Sequence, residues 1–397
     1  MRIAAAALLT FAAAAGAQDI STGGFADIRG TVNSQQTAAV QGGLGKFRYG
    51  GDDSELRLAD VNLFGTALLS EDILVYADLN YDPRQHTAVD LQEGYIRYRP
   101  LSLSPWRWSI KAGAFFPPIS MENTGPGWTS PWTLTPSAIN SWVGEELRTI
   151  GGEGKLEWRG DDQRIEAVFA VYGYNDAAGV LLADRGWVLT DRVTGLFDRL
   201  RLPDAAGNAT HHPPIWRYPF YEIDGNPGVY GGVNWSSDQW GRISLLWYDN
   251  RADPHAFSKE FAWRTGFLSF GAETEIAGIT LIGQAMSGKT EVNPSGDEGY
   301  ATHFDSAFLL AGYRFGDWRL AARGEIFATT ALDQDPGSRL SEHGSAGTLA
   351  LTWKPLSFLK LTLEGMLADS WRTQRLNIHE QPQQIDRQLQ LNARFSY

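Results

Sequence analysis

The chain holds 397 residues with a formal charge of −12, 43 glycines, 15 tryptophans and no cysteine. Zero Cys excludes disulfides, thiolate metal sites and a cysteine nucleophile, and the acidic sum argues against nucleic acid as a partner. A mean hydropathy of −0.27 is too polar for a bundle of membrane helices, yet it suits a β-barrel, in which only alternate strand residues touch lipid.

The first 17 residues read as a secretory signal. Arg2 supplies the charged start, Ile3 to Ala15 the apolar run, and Ala15-Gly16-Ala17 a small-x-small cleavage site. The mature chain is then 18–397, exported, with no further apolar run long enough for a membrane helix.

From Phe25 onward, apolar-alternating segments are joined by connectors that are short, then long, then short again. The short ones are Ser70 to Asp72, Pro100 to Pro105, Arg159 to Gln163, Ser236 to Asp238, the turn at Glu275, Phe315 to Asp317 and Pro355 to Ser357. Between them fall eight longer stretches, beginning with Asn33 to Ser54 and ending with Asp369 to Asp386. About seven turns and eight loops require about sixteen strands, with both termini on the periplasmic side. This is the plan of an all-β, transmembrane antiparallel barrel. Around Leu56, Leu58, Val61 and Leu63 the apolar parity slips by one, which predicts a bulge or a displaced strand boundary.

The third long stretch, about 116–146, is rich in Pro, Gly, Trp and Ser/Thr and is too apolar to sit in water. It is expected to fold into the lumen and narrow it, with Trp128, Trp132 and Trp142 against the wall; a lid over the rim or an oligomer contact is the alternative. The segments around it, EGYIRYRP, WSIKAGAFFPPISMENT and EELRTIGGEGKLEW, resemble the phosphate-selective porin O and P family. Ala112 to Glu122 match that family's Gly-x-x-x-x-Pro-x-x-x-Glu element, and Arg148 to Gly151 its later arginine-glycine element. The resemblance implies a porin fold, passive transport and a homotrimer. It does not extend to phosphate selectivity, because the family uses constriction lysines and residues 116–146 contain neither Lys nor Arg.

Gly151 to Lys155 mimics part of a phosphate loop but lacks its spacing and lies on a strand. In the fourth long stretch, Val188, Val193, Leu196, Phe197 and Leu200 are spaced for a short helix. His211-His212 follow as an adjacent pair without a third ligand, so neither metal nor cofactor is expected. Trp158, Trp235, Trp240, Trp318 and Trp353 fall beside turns, where an interfacial girdle puts them.

Alternation also assigns faces. Trp318, Leu320, Ala322, Gly324 and Ile326 face lipid, which turns Arg319, Arg323 and Glu325 inward; the same reading turns Lys111, Lys360 and Arg394 inward. These inward groups are the candidate pore-lining residues, and Arg319 with Arg323 are expected to project into water and favour anions. The last strand, with Leu389, Leu391, Phe395 and Tyr397 at alternate positions, resembles the terminal signal by which outer-membrane barrels reach their assembly machinery. The whole reads as a passive channel for small hydrophilic solutes in the outer membrane of a Gram-negative bacterium. An outer-membrane enzyme with a rim site and a plugged adhesion barrel are the rivals.

Overall fold

Period-2 alternation at both chain ends leaves two amphipathic strands that each need a second partner, and they find one another. The computed structural model describes residues 19–51, 54–204, 215–294, 299–332 and 340–397; the signal segment and His211-His212 lie outside them. Phe25 pairs with Ser396, Ile28 with Ala393 and Asn33 with Gln388, antiparallel. Leu389, Leu391, Phe395 and Tyr397 point outward, 49%, 60%, 42% and 76% exposed, while Gln388, Gln390 and Asn392 are buried inside. Closure leaves no edge with unpaired backbone groups, the condition for a sheet in lipid.

Sixteen barrel strands are present among the described residues: β1 (Asp19–Asn33), β2 (Leu56–Leu68), β3 (Ile73–Tyr81), β4 (Val89–Tyr98), β5 (Trp106–Phe115), β6 (Thr149–Arg159), β7 (Gln163–Gly173), β8 (Gly228–Ser237), β9 (Gly241–Asp249), β10 (Arg264–Ile276), β11 (Ile279–Val292), β12 (Tyr300–Phe315), β13 (Trp318–Ala331), β14 (Glu342–Leu356), β15 (Leu359–Arg372) and β16 (Gln383–Ser396). Each pairs with its chain neighbours, and β16 closes on β1. Short turns join the strands near all the expected connectors, with small displacements: Glu275 is paired with Thr280, so that turn is Ala277-Gly278, and Ser236 and Ser237 are paired with Arg242 and Gly241, so that turn begins at Asp238. The expected bulge lies between β1 and β2, where Asp27 faces Asp60 and Ile28 faces Leu58, leaving Ala59 unpaired. Its freed carbonyl accepts a hydrogen bond from Arg48 Nη2 at 3.1 Å.

The outer face is apolar, and Trp318 stacks on Trp353 beside the turns at 5.4 Å. The inner face divides in two. Inward residues of β7 to β15, among them Tyr172, Tyr230, Phe267, Phe304 and Phe327, form a buried apolar core with side chains from the loops. Inward residues of β1 to β3 and β16, such as Arg29, Asn62, Asp78 and Gln390, are polar and equally buried. At this level the interior is filled by protein, not by a wide water column.

Candidate functional site

Two successive prolines, Pro117 and Pro118, cannot donate to a sheet ladder, so the chain leaves the wall after Phe115 and turns inward. Glu93 takes the first loop N–H, that of Phe116, at 3.0 Å. Residues 116–148, the third loop, then cross the barrel. Met121 N donates to Gln284 on β11 at 3.3 Å, and Gly127 N to Asp78 on β3 at 2.9 Å. Leu134 N and Thr135 N donate to Glu364 on β15 at 2.7 and 3.0 Å. Ser137 caps a helix, α1 (Ala138–Glu146), whose nine residues are all buried. Ala138 N at its start donates to Glu325 at 2.7 Å, a carboxylate at the positive end of the helix dipole.

The fourth loop covers α1. Its helix, α2 (Val180–Asp184), lies earlier than the spacing of Val188 to Leu200 predicts. The later stretch runs extended because its backbone N–H groups are taken by neighbours: Leu189 N by Lys46 O, Thr194 N by Gly144 O and Leu196 N by Leu91 O. Glu146, at the end of α1, accepts from Gly179 N and Leu181 N at 3.0 Å each and from Trp142 Nε1 at 2.5 Å. Burial nevertheless pushes its carboxyl up to about 7.

Two ion clusters fasten this assembly to the wall. Asp191 bridges Arg29 at 2.5 Å and Arg48 at 3.0 Å; burial alone would raise its carboxyl, but the two guanidiniums hold it well below the usual range. Lys46 pairs with Glu342, which Arg372 joins at 3.0 Å. Burial brings the Lys46 amine down to about 8 despite that carboxylate. None of these groups is conspicuous in the sequence, because their partners are far away along the chain.

The nine candidate residues part into sealed and open sets. Arg323 is on the inner face, but it is fully buried, donating to Glu325 at 2.9 Å, Glu122 at 3.2 Å and the carbonyls of Thr135 and Pro136 at 2.9 and 3.1 Å. It anchors the third loop and does not project into water, and Glu325 shares its burial. Trp142 is 2% exposed within the apolar core. Trp132 is likewise buried, with the Arg314 guanidinium 4.7 Å from its ring. Trp128 is partly exposed and stacks on Phe116 at 4.0 Å. Arg319 reaches Pro131 O at 3.1 Å and stays partly open. Lys111 pairs with Glu153 at 3.1 Å, Arg394 with Asp27 at 2.7 Å, and Lys360 sits opposite Arg394 in the ladder.

Beneath the third loop, toward the short turns, the inner wall is lined by Arg97, Arg99, Arg107, Lys111, Lys155 and Arg159, with Glu153 and Glu157 among them. Lys155 pairs with Glu166 at 2.9 Å and Arg159 with Glu157. Among the described residues Arg97 and Arg99 have no ion-pair partner, Arg107 stands across the ladder from Glu157, and the Nε atoms of Arg97 and Arg107 are unbonded. Arg107 escapes a sequence reading because it stands between Trp106 and Trp108. At the opposite end Asp176, Glu222 and Asp224 lie within 4.8 Å of one another. Backbone N–H groups already occupy them, as at Ile223 N to Asp176 at 2.6 Å, and burial pushes Asp176 up to about 7.

No protein-family model matches the sequence, and no curated protein matches it. Solved structures do resemble the fold. The outer membrane channel DcaP of Acinetobacter baumannii superposes with a TM-score of 0.58 at 10% identity, over 96% of this chain and 97% of that one. OmpF of Salmonella typhi, solved with daunomycin, gives 0.54 at 10% identity over 97% and 99%. A loop-deletion form of OmpT, an outer membrane protein of Vibrio cholerae, gives 0.52 at 8% identity over 96% and 99%. The chain has the fold of the outer-membrane porins, a closed antiparallel barrel of sixteen strands.

Proposed function

We propose that this protein is an outer-membrane channel for passive diffusion of small hydrophilic solutes, with a preference for anions and no catalytic step. The observation that carries this reading is the periplasm-side vestibule, a solvent-open inner wall on which Arg97 and Arg99 have no ion-pair partner and Arg107 shares Glu157 with Arg159. Arginine stays charged at any accessible pH, and in a vestibule walled by protein its field is screened less than on an open surface. Solute then passes the third loop, whose resemblance to the phosphate-selective porins supports a constricting role. The lack of basic residues over 116–146 favours a broad preference over phosphate specificity.

The test is reversal potential in planar bilayers under a salt gradient. Replacing Arg97, Arg99 and Arg107 together by Gln should move the reversal potential toward cations with little change in heat-modifiable folding. An unchanged potential removes the anion preference. The near-complete burial of α1 and α2 favours a second reading, a plugged interaction barrel, and absence of conductance in the wild type would select it.

Assembly is expected to depend on the terminal strand, which we assign as the signal to the barrel assembly machinery. Removing Tyr397 and changing Phe395 to Ser eliminates two outward aromatic groups and the bond from Tyr397 N to Gly24 O. The double variant should be exported yet fail to form heat-modifiable barrel; normal accumulation in the membrane fraction would exclude a signalling role. The homotrimer remains part of the proposal, measurable by crosslinking of intact membranes.

A further inference from the structure

Like charges set directly opposite one another in a sheet ladder oppose the pairing of their strands. The lumenal wall keeps two such pairs side by side at its periplasmic end. Arg314 of β12 stands across from Arg319 of β13, and Lys360 of β15 across from Arg394 of β16. Lys354 of β14 lies between the pairs, on the inner parity of Thr352. These residues flank two neighbouring short turns, Gly316-Asp317 and Ser357-Phe358. Arg319 feels the charge of Arg314, and Lys360 those of Arg394, Arg319 and Lys354, so the five cations form one patch.

The wall itself leaves most of that charge uncompensated. Arg394 has a carboxylate partner, Asp27 at 2.7 Å. Among the described residues Arg314, Arg319, Lys354 and Lys360 have no ion-pair partner, and Asp317 in the turn pairs with none of them. Arg319 donates to Pro131 O at 3.1 Å, and the Arg314 guanidinium lies 4.7 Å from the ring of Trp132. Both contacts come from the third loop, and they orient the guanidiniums without neutralising them. From Arg319 the ladder row continues through Thr352 and Thr362, whose hydroxyls are 3.0 Å apart. The patch thus has the third loop above it, hydroxyls along its wall and water on its periplasmic side, where Arg314 and Lys354 are exposed.

We propose that this patch binds compact multivalent oxyanions, polycarboxylates or polyphosphates, and that its occupancy blocks the channel from the periplasmic side. A monovalent anion offsets one of four uncompensated charges, whereas a trivalent one offsets three at a single desolvation, and a cleft of one sign concentrates such ions. An anion arriving from the periplasm meets the patch before the third loop; one arriving from outside must first pass that loop. The site is separate from the Arg97, Arg99 and Arg107 vestibule, because β4 to β6 and β12 to β16 lie about half a circuit apart in the ring. The block rests on the channel reading above and adds a sidedness to it.

The experiment uses the full mature barrel. Binding of citrate, pyrophosphate and acetate is measured by titration calorimetry in detergent, and block by adding each to one chamber of a planar bilayer at a time. Wild type should bind citrate and pyrophosphate at least tenfold more tightly than acetate. Arg319→Gln with Lys360→Gln should weaken both by at least tenfold while the barrel stays heat-modifiable, and the triple Gln variant of Arg97, Arg99 and Arg107 should still bind them. Lys360→Cys supplies the chain's single thiol, and block of the wild type should come from the chamber in which a negatively charged methanethiosulfonate modifies that thiol faster. Equal affinity in the Arg319 and Lys360 variant, citrate no tighter than acetate, or equal block from both chambers overturns the proposal. A barrel that conducts but binds neither multivalent anion defeats this inference alone. One that binds them without conducting defeats the channel reading, and the block with it, and leaves the site standing. Preference for only one of citrate and pyrophosphate narrows the ligand to that chemistry.

Discussion

Replacing Arg323 by Met should release the third loop from the wall and raise single-channel conductance severalfold, while the sixteen-strand barrel still forms. Its guanidinium joins two carboxylates, Glu122 and Glu325, to the carbonyls of Thr135 and Pro136. All of this is out of water, and removing the cation leaves both acids buried without their partner. Breaking such a pair costs about 3–5 kcal/mol. Glu325 also receives Ala138 N, so the start of α1 loosens with it. The barrel ladder does not pass through Arg323's side chain, and heat modifiability should therefore survive. Arg323→Lys keeps the charge but loses the planar fork, and its effect should be intermediate. Arg319→Gln, by contrast, should shift selectivity slightly and leave conductance near the wild-type value. Wild-type conductance in Arg323→Met would show that the loop is held by its apolar packing alone.

The second large effect is a pH dependence set by Glu146. When the fourth loop lifts away, this carboxyl enters water and returns to an ordinary glutamate value, whereas docked it is raised to about 7. A group whose docked value is raised takes up a proton on docking between roughly pH 4.5 and 7. The docked arrangement is therefore favoured at pH 5 and loses stability as pH rises to about 7, by a total on the order of 3 kcal/mol. Conductance in bilayers should be lower and quieter at pH 5 than at pH 8. Glu146→Gln, permanently neutral, should flatten the profile at its acid level. A profile that persists in Glu146→Gln would assign the titration elsewhere, with Asp176 and Lys46 as the next groups to vary.

Strand number, closure and the β1–β2 bulge were legible because each rests on local alternation, and alternation fixes which face a residue presents. It says nothing of what fills the space on that face. Arg323 illustrates the limit: its side of the wall follows from Leu320, Ala322 and Gly324 beside it, but Glu122, which takes it out of solvent, is 201 residues away in the chain. Lys46, Glu342 and Arg372 were invisible for the same reason. In the fourth loop, the spacing of Val188 to Leu200 imitates a helix, yet the segment threads extended between α1 and the wall, with Val188, Val193 and Leu200 buried on different sides and Phe197 exposed. Helical periodicity presumes a single buried face, and here there is none.

The anchors of the third loop also order events in time. Glu325, Glu364 and Gln390, which hold residues 134–138, all lie on strands made long after the loop itself. Contacts of such sequence separation form late, so the crossing segment cannot settle until the final hairpin has closed the sheet. A nascent barrel stalled short of closure would carry residues 116–148 and 174–204 as undocked tethers, open to protease from the extracellular side, and would become resistant in the same step that joins β16 to β1.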